Sequence, residues 1–230
     1  IRYGADPGDH ATGKVQNWES LAAETPKHDF PPRQPSEPAI IYFTSGSTGK
    51  PKGVTHTFGT LGWMMASAGP ALQITSDDVV VPGSSHSHIG GMLLALAALA
   101  AGAKVVVPRT FDGDELLPLL QTHRPTLLCM LPAALFGLVR DHGARRQDFA
   151  SLRLCIAGGD KVSAELEREF TELSGHEIAE VYGMTEIGYT TVTPPSGPNK
   201  LGSIGRACPG FELAIRDDDG RTLPIDHDGR

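Results

Sequence analysis

Between Asp78 and Tyr182 short aliphatic runs alternate with stretches of helical spacing, strand first and helix second, throughout. The runs Asp78–Val81, Lys104–Val107, Thr126–Leu131, Leu152–Ile156 and Glu177–Tyr182 read as strands. The segments Gly90–Ala101, Asp112–His123, Ala133–Asp141 and Ser163–Leu173 read as helices, with Ser163 placed to cap the last of them. A strand that returns to its own sheet in parallel needs a crossover, and a helix supplies it. The expected fold is therefore α/β: a mainly parallel sheet layered with helices, leading at the C-terminus into a β-rich element. That element spans Gly202–Ile215 and the turn Asp217–Gly220.

The organisation reads as three parts. Residues 1–38 are polar and proline-rich, with a short helix near Val15–Ala23 and then a linker; residues 39–200 form the α/β core; residues 201–230 begin the β-rich part. Ala39–Phe43 reads as a buried strand, followed by a Gly/Ser/Thr loop and a helix over Val54–Ala68. With 230 residues and a net charge of −7, basic residues scattered, the chain lacks the clustered positive surface that nucleic acid requires. Three cysteines, Cys129, Cys155 and Cys208, form no CxxC pair, which speaks for a reducing, cytoplasmic setting without a zinc framework. The most apolar stretch, Ile89–Val107, is interrupted by glycines and Lys104, so no membrane span is expected. No leader is visible, and the oligomeric state is not readable.

Chemistry concentrates in Tyr42-Phe-Thr-Ser-Gly-Ser-Thr-Gly-Lys-Pro-Lys-Gly53. Small residues let backbone N–H groups approach a phosphate, and Thr44, Ser45, Ser47 and Thr48 add hydroxyls. Gly46 and Gly49 supply the bends, and Lys50 and Lys52 the charge. A flexible surface loop has similar composition; the ordered context and the paired lysines favour an anion site. A Walker P-loop is excluded, because only two residues separate Gly46 from Gly49 and Pro51 follows Lys50 where a hydroxyl is needed.

Further candidates lie downstream. Tyr182-Gly183-Met184-Thr185-Glu186 follows a strand; alone, Tyr182 reads as core and Glu186 as a solvated carboxylate. Gly158-Gly159-Asp160 ends another strand and by itself reads as a tight turn. His86 and His88 precede Gly90-Gly91; as metal ligands they lack a third partner, and a polar loop capping the next helix accounts for them equally.

Residue for residue, Thr44–Gly53 resembles the phosphate-binding signature of the adenylate-forming superfamily, which includes acyl-CoA synthetases, luciferases and peptide-synthetase adenylation domains. Tyr182–Glu186 matches that family's Tyr-Gly-x-Thr-Glu motif, and Gly202-Ser-Ile-Gly-Arg206 resembles the region opening its β subdomain. The resemblance implies activation of a small carboxylic acid with ATP and Mg²⁺, then transfer of the acyl group to the thiol of coenzyme A. It places the Thr44–Lys52 loop on the β- and γ-phosphates, and Gly158–Asp160, Tyr182, Gly183 and Met184 about the adenine side. Thr185 would stand near the α-phosphate, Glu186 on the metal and His88 beside the acyl carboxylate. Asp160 departs from the small residue common in its turn. By the family pattern a ribose-gripping Asp, a hinge and a C-terminal domain with a catalytic Lys would follow Arg230, so this piece alone is expected to turn over poorly. Loading of a carrier protein, or nucleotide binding without catalysis, remain alternatives.

Overall fold

The computed structural model describes residues 31–45, 49–197 and 199–229. Gln34–Arg230 pack together as one unit, which holds every strand and helix named below Gln34 in the chain. The helix read near Val15–Ala23 lies outside the described residues, as do Gly46, Ser47 and Thr48 of the glycine-rich loop.

In chain order the elements are β1 (Pro38–Thr44), β2 (Lys52–Thr57), α1 (Phe58–Ala71), β3 (Val79–Val81), α2 (Ile89–Ala100) and β4 (Lys104–Val105). They continue with α3 (Gly113–His123), β5 (Leu127–Met130), α4 (Pro132–Arg140), β6 (Leu154–Gly158) and α5 (Ala164–Ser174). Last come β7 (Ile178–Met184), β8 (Gly188–Val192) and β9 (Arg206–Ala207). Seven strands form one sheet in the order β4-β3-β5-β6-β7-β8-β9. The pairs from β4 through β7 are parallel, whereas β8 and β9 add antiparallel. The α/β expectation holds, and α5 starts as read: Ser163 Oγ accepts a hydrogen bond from the Leu166 amide at 3.1 Å.

Two apolar layers sandwich the sheet, and strand alternation feeds both. On β5 Leu127 packs with Leu93, Leu94 and Ala68, while its neighbour Leu128 packs with Leu116, Leu135 and Phe170. The same division separates Leu154 and Ile156 of β6 from Cys155 and Ala157. Helices α1 and α2 cover one face; α3, α4 and α5 cover the other.

The glycine-rich segment is positioned differently from the expectation. It joins two strands of an antiparallel hairpin instead of leading from strand to helix, with Thr44 opposite Lys52 and Ile41 opposite Thr55. Val54, Thr55 and Thr57 are β-branched and favour β2 over a helix. The helix begins only at Phe58, where Thr57 and Thr60 form a reciprocal capping box: the Thr57 hydroxyl accepts from the Thr60 amide at 3.1 Å, and the Thr57 amide donates to Thr60 Oγ1 at 2.9 Å. Nor is β1 buried throughout. Only Tyr42 is enclosed, and Phe43 is 72% exposed.

At the amino ends of three parallel strands lies one polar knot. Asp78 precedes β3, Thr126 precedes β5 and Arg153 precedes β6. The Arg153 guanidinium donates to Asp78 Oδ1 at 2.7 Å and to Oδ2 at 2.8 Å, and Thr126 Oγ1 donates to Asp78 at 2.6 Å. Arg153 also donates to the Gln73 carbonyl at 3.0 Å, just past α1. The Arg153 guanidinium beside Asp78 holds its carboxyl well below the usual carboxylate range. Asp78 is buried, so removing its charge leaves the Arg153 guanidinium without its counter-charge. Asp78→Asn is expected to destabilise the fold by on the order of 3 kcal/mol. Because the folded-state value is depressed, this stability is fully present above the unfolded pKa of about 4 and is lost as pH falls through the folded value. Thermal unfolding of both proteins between about pH 7 and 3 checks it: their separation should hold near neutrality and shrink only on the acid side.

Candidate active site

Opposite that knot, at the carboxyl ends of the parallel strands, the sheet opens into a cavity of about 330 Å³. Gly83 and Ser84 follow β3, Leu131 follows β5, Gly159 follows β6 and Thr185 follows β7, and all line it. The chain leaves β3 for β4 on one side and returns to β5 on the other, so the loops after β3 and β5 part toward opposite faces. Such a switch point makes a crevice in open α/β sheets, and ligands bind there. The close approach of the loop after β3 depends on glycine: Gly83 has φ +33°, and any Cβ there would run into the Cys129 carbonyl.

Six expected site residues meet at this cavity: His88, Gly158, Gly159, Gly183, Met184 and Thr185. His88 is exposed and stands at the N-cap of α2 without a side-chain capping bond, so capping does not occupy its ring. Gly158 and Gly183 bring backbone close; a Cβ on the first would strike Val181, and one on the second the Gly188 carbonyl. Asp160 lies just beyond, exposed, its Oδ1 accepting from the Lys161 amide at 2.7 Å. Tyr182 belongs to β7 opposite Thr191 and is 45% exposed, unlike the core residue it resembles in isolation. Its ring is therefore available to a flat ligand.

Glu186 faces a second space. With Gly59, Thr60, Trp63, Ile187 and Phe211 it lines a groove of about 410 Å³, walled by the edge-to-face pair Trp63 and Phe211 at 4.9 Å between ring centres. Glu186 is an exposed hard-oxygen donor one residue past Thr185, of the kind Mg²⁺ takes alongside substrate phosphates; the Thr60 hydroxyl on the same groove is engaged in the capping box, and the rest of its lining is mainly apolar. Thr44, Ser45, Gly49, Lys50 and Lys52 stay on the hairpin, and both lysines are exposed.

One residue overlooked in sequence connects the hairpin to the strand-end loop. His56, buried on β2, lies with Nε2 2.7 Å from the Thr185 carbonyl oxygen. A carbonyl only accepts, so Nε2 carries the proton. The ring also meets Tyr42 edge-on, with 6.2 Å between centres. Without knowledge that Lys52–Thr57 is a strand, the alternation that turns His56 inward is invisible.

Cys129 and Tyr189, not expected at a site, also line the cavity. Burial pushes the Cys129 thiol up to about 12, so it stays protonated near neutral pH and is no nucleophile. Burial likewise raises the Tyr189 hydroxyl well above its ordinary value, and that hydroxyl donates to the Gly90 carbonyl at 2.8 Å. The cavity thus offers backbone-lined space and hydroxyls, while exposed Lys50 and Lys52 stand on the hairpin and Glu186 on the neighbouring groove.

Residues 4–230 match the family model of AMP-binding enzymes. The chain is 33% identical over 216 residues to an indoleacetate–CoA ligase of Aromatoleum aromaticum, a match covering 90% of this chain and 42% of that protein. It is 32% identical over 220 residues to the fatty acid–[acyl-carrier-protein] ligase ScoC of Streptomyces coeruleorubidus, covering 90% and 42% respectively. The crystal structure of ATP-bound MatB from Rhodopseudomonas palustris superimposes with a TM-score of 0.82 at 28% identity, over 92% of this chain and 42% of that one. The chain therefore spans less than half the length of these relatives. With the motif from Thr44 to Gly53, the strand-end cavity and these likenesses in agreement, the chain belongs to the AMP-binding enzyme family.

Proposed function

We propose that this chain is the nucleotide- and acid-binding part of an AMP-forming acid–thiol ligase. The observation that carries the reading is the meeting of His88, Gly158–Gly159 and Gly183–Thr185 around one cavity, with His56 joining that cavity to the hairpin of Lys50 and Lys52. A carboxylate oxygen of the acid attacks the α-phosphorus of ATP; the bond to the bridging oxygen breaks and pyrophosphate leaves. The thiol of coenzyme A then attacks the acyl carbon, and AMP departs with the bonding electron pair.

Each residue's task follows from its place. Lys50, Lys52 and the hydroxyls of Thr44 and Ser45, with Gly46–Gly49 between them, receive the β- and γ-phosphates and spread the charge that builds on the leaving pyrophosphate. Thr185 hydrogen-bonds the α-phosphate, and its backbone is held by His56. Tyr182, Gly158, Gly159, Asp160, Gly183 and Met184 border the adenine, and His88 stands beside the acid's carboxylate. Glu186 would hold Mg²⁺, which would supply charge neutralisation on the phosphates. The three unpaired cysteines suit a reducing, cytoplasmic compartment. No helix among the described residues is long and apolar enough to cross a membrane.

Delivery to a carrier protein instead of coenzyme A is a second reading, favoured by the acyl-carrier-protein ligase among the relatives. Both readings share the first half-reaction. Carboxylate-dependent exchange of pyrophosphate into ATP, run on the full-length protein with fatty, aryl and amino acids, tests it. Exchange with one class of acid is expected; ATP binding without exchange on any acid would leave a nucleotide-binding protein. Thioester formation with coenzyme A or with a phosphopantetheinylated carrier separates the two acceptors. Glu186→Gln is expected to lower exchange on the order of 100-fold while the fold melts unchanged. His56→Ala removes the tie to Thr185 and is expected to raise the KM for ATP several-fold and lower stability by about 1–3 kcal/mol. His56→Gln, which keeps a donor, should recover part of both.

A further inference from the structure

The chain carries three cysteines and five methionines, and their surroundings differ. Met64 and Met130 are buried; Met65 and Met92 are partly covered and pack against the core. Of the methionines only Met184 is exposed, at 46%, and it lines the strand-end cavity. The cysteines offer no competing target. Peroxide reacts with thiolate, and burial keeps Cys155, Cys208 and Cys129 protonated near neutral pH, although Cys129 lines the same cavity. A thioether has no proton to lose, so access decides its reaction.

The backbone around Met184 is fixed. Met184 pairs with Gly188 across the β7–β8 ladder, its carbonyl accepts from the Ile187 amide at 3.2 Å, and the next carbonyl, of Thr185, is held by His56. A change confined to the Met184 side chain therefore alters the cavity and leaves the fold in place. The proposed function sets that side chain against the adenine, where a soft, polarisable thioether meets a flat ring favourably. A sulfoxide carries a polar oxygen instead. That oxygen must shed its water to meet the ring, or keep the water and hold the ring away.

We propose that Met184 is an oxidative modification site through which peroxide weakens nucleotide binding. The sulfur lone pair attacks one peroxide oxygen, the O–O bond breaks, an S–O bond forms and water leaves; sulfur gives up two electrons and the peroxide takes them. Methionine sulfoxide reductase with a dithiol reverses the step: two thiols become a disulfide and the oxygen departs as water. The oxidation rests on exposure, and its effect on binding rests on the reading above that places the adenine.

The full-length protein treated with hydrogen peroxide is followed by peptide mass mapping, equilibrium ATP titration and thermal melting. Met184 should gain one oxygen before any other sulfur of this chain, and saturating ATP should slow that gain. The Kd for ATP should rise on the order of 10-fold while the melting temperature holds. The two epimer-specific reductases together should restore binding. Met184→Leu, compared with its own untreated Kd, should keep its affinity under peroxide. Another methionine or a cysteine oxidised first, oxidation that ATP does not slow, a Met184 sulfoxide that binds ATP as before, or a loss that Met184→Leu shares overturns the assignment. Pyrophosphate exchange on the untreated protein separates the two readings: no exchange with any acid, while ATP binds and Met184 oxidation weakens it, overturns acid activation and leaves this inference standing. An untreated protein that binds no ATP overturns both.

Discussion

The pairing of buried Asp78 with Arg153 decides which end of this sheet is closed. Three parallel strands begin at one cluster, where Asp78, Thr126 and Arg153 satisfy one another and the chain end of α1. A buried carboxylate is costly unless its partners are all in place, so the strands are held in mutual register at that end. Among the described residues the opposite ends carry no such knot. They diverge into glycine-bearing loops, and the space between those loops is the cavity. Rigidity at one end and an opening at the other are consequences of the same parallel topology.

On the proposed reading, the chemistry asks the protein mainly for placement. The hairpin carries the exposed lysines and the sheet carries the pocket. His56 ties the two by reaching from β2 to the carbonyl of Thr185. A backbone carbonyl that accepts this bond cannot wander, so the Thr185 side chain and the adjoining Glu186 inherit a fixed base. Tyr42 braces the ring from β1, and thus the buried face of an otherwise exposed hairpin serves the site.

Much of the frame is legible in the sequence. The alternation from Asp78 to Tyr182 carries the parallel sheet because each run is a short aliphatic stretch and each intervening segment has the spacing of a helix. Ser163 is readable as a cap because capping is local. What escapes is non-local. Val54–Thr57 passes for the start of a helix because its partner strand lies across a loop, and the pairing of Thr44 with Lys52 is not written in either segment. β8 follows β7 after a turn of three residues, too short a break to separate two strands by pattern alone. Of the site, the motif residues stand out by resemblance. His56, Cys129 and Tyr189 do not, because their contacts join residues far apart in the chain, 129 positions for His56 to Thr185 and 99 for Tyr189 to Gly90. Tyr182 misleads in the other direction: an aromatic in a strand is ordinarily core, but here the strand runs out past the packed layer.

The hairpin of β1 and β2 forms a sheet of its own, apart from the seven strands that hold the pocket. Attached by side chains and one helix start, with no shared ladder, it is expected to open at lower free energy than the main sheet. A triphosphate spanning both would act as the missing seam between them. The hairpin amides should then report nucleotide through slowed hydrogen exchange while those of the central strands stay as they were, and part of the binding energy would be spent on ordering the arm.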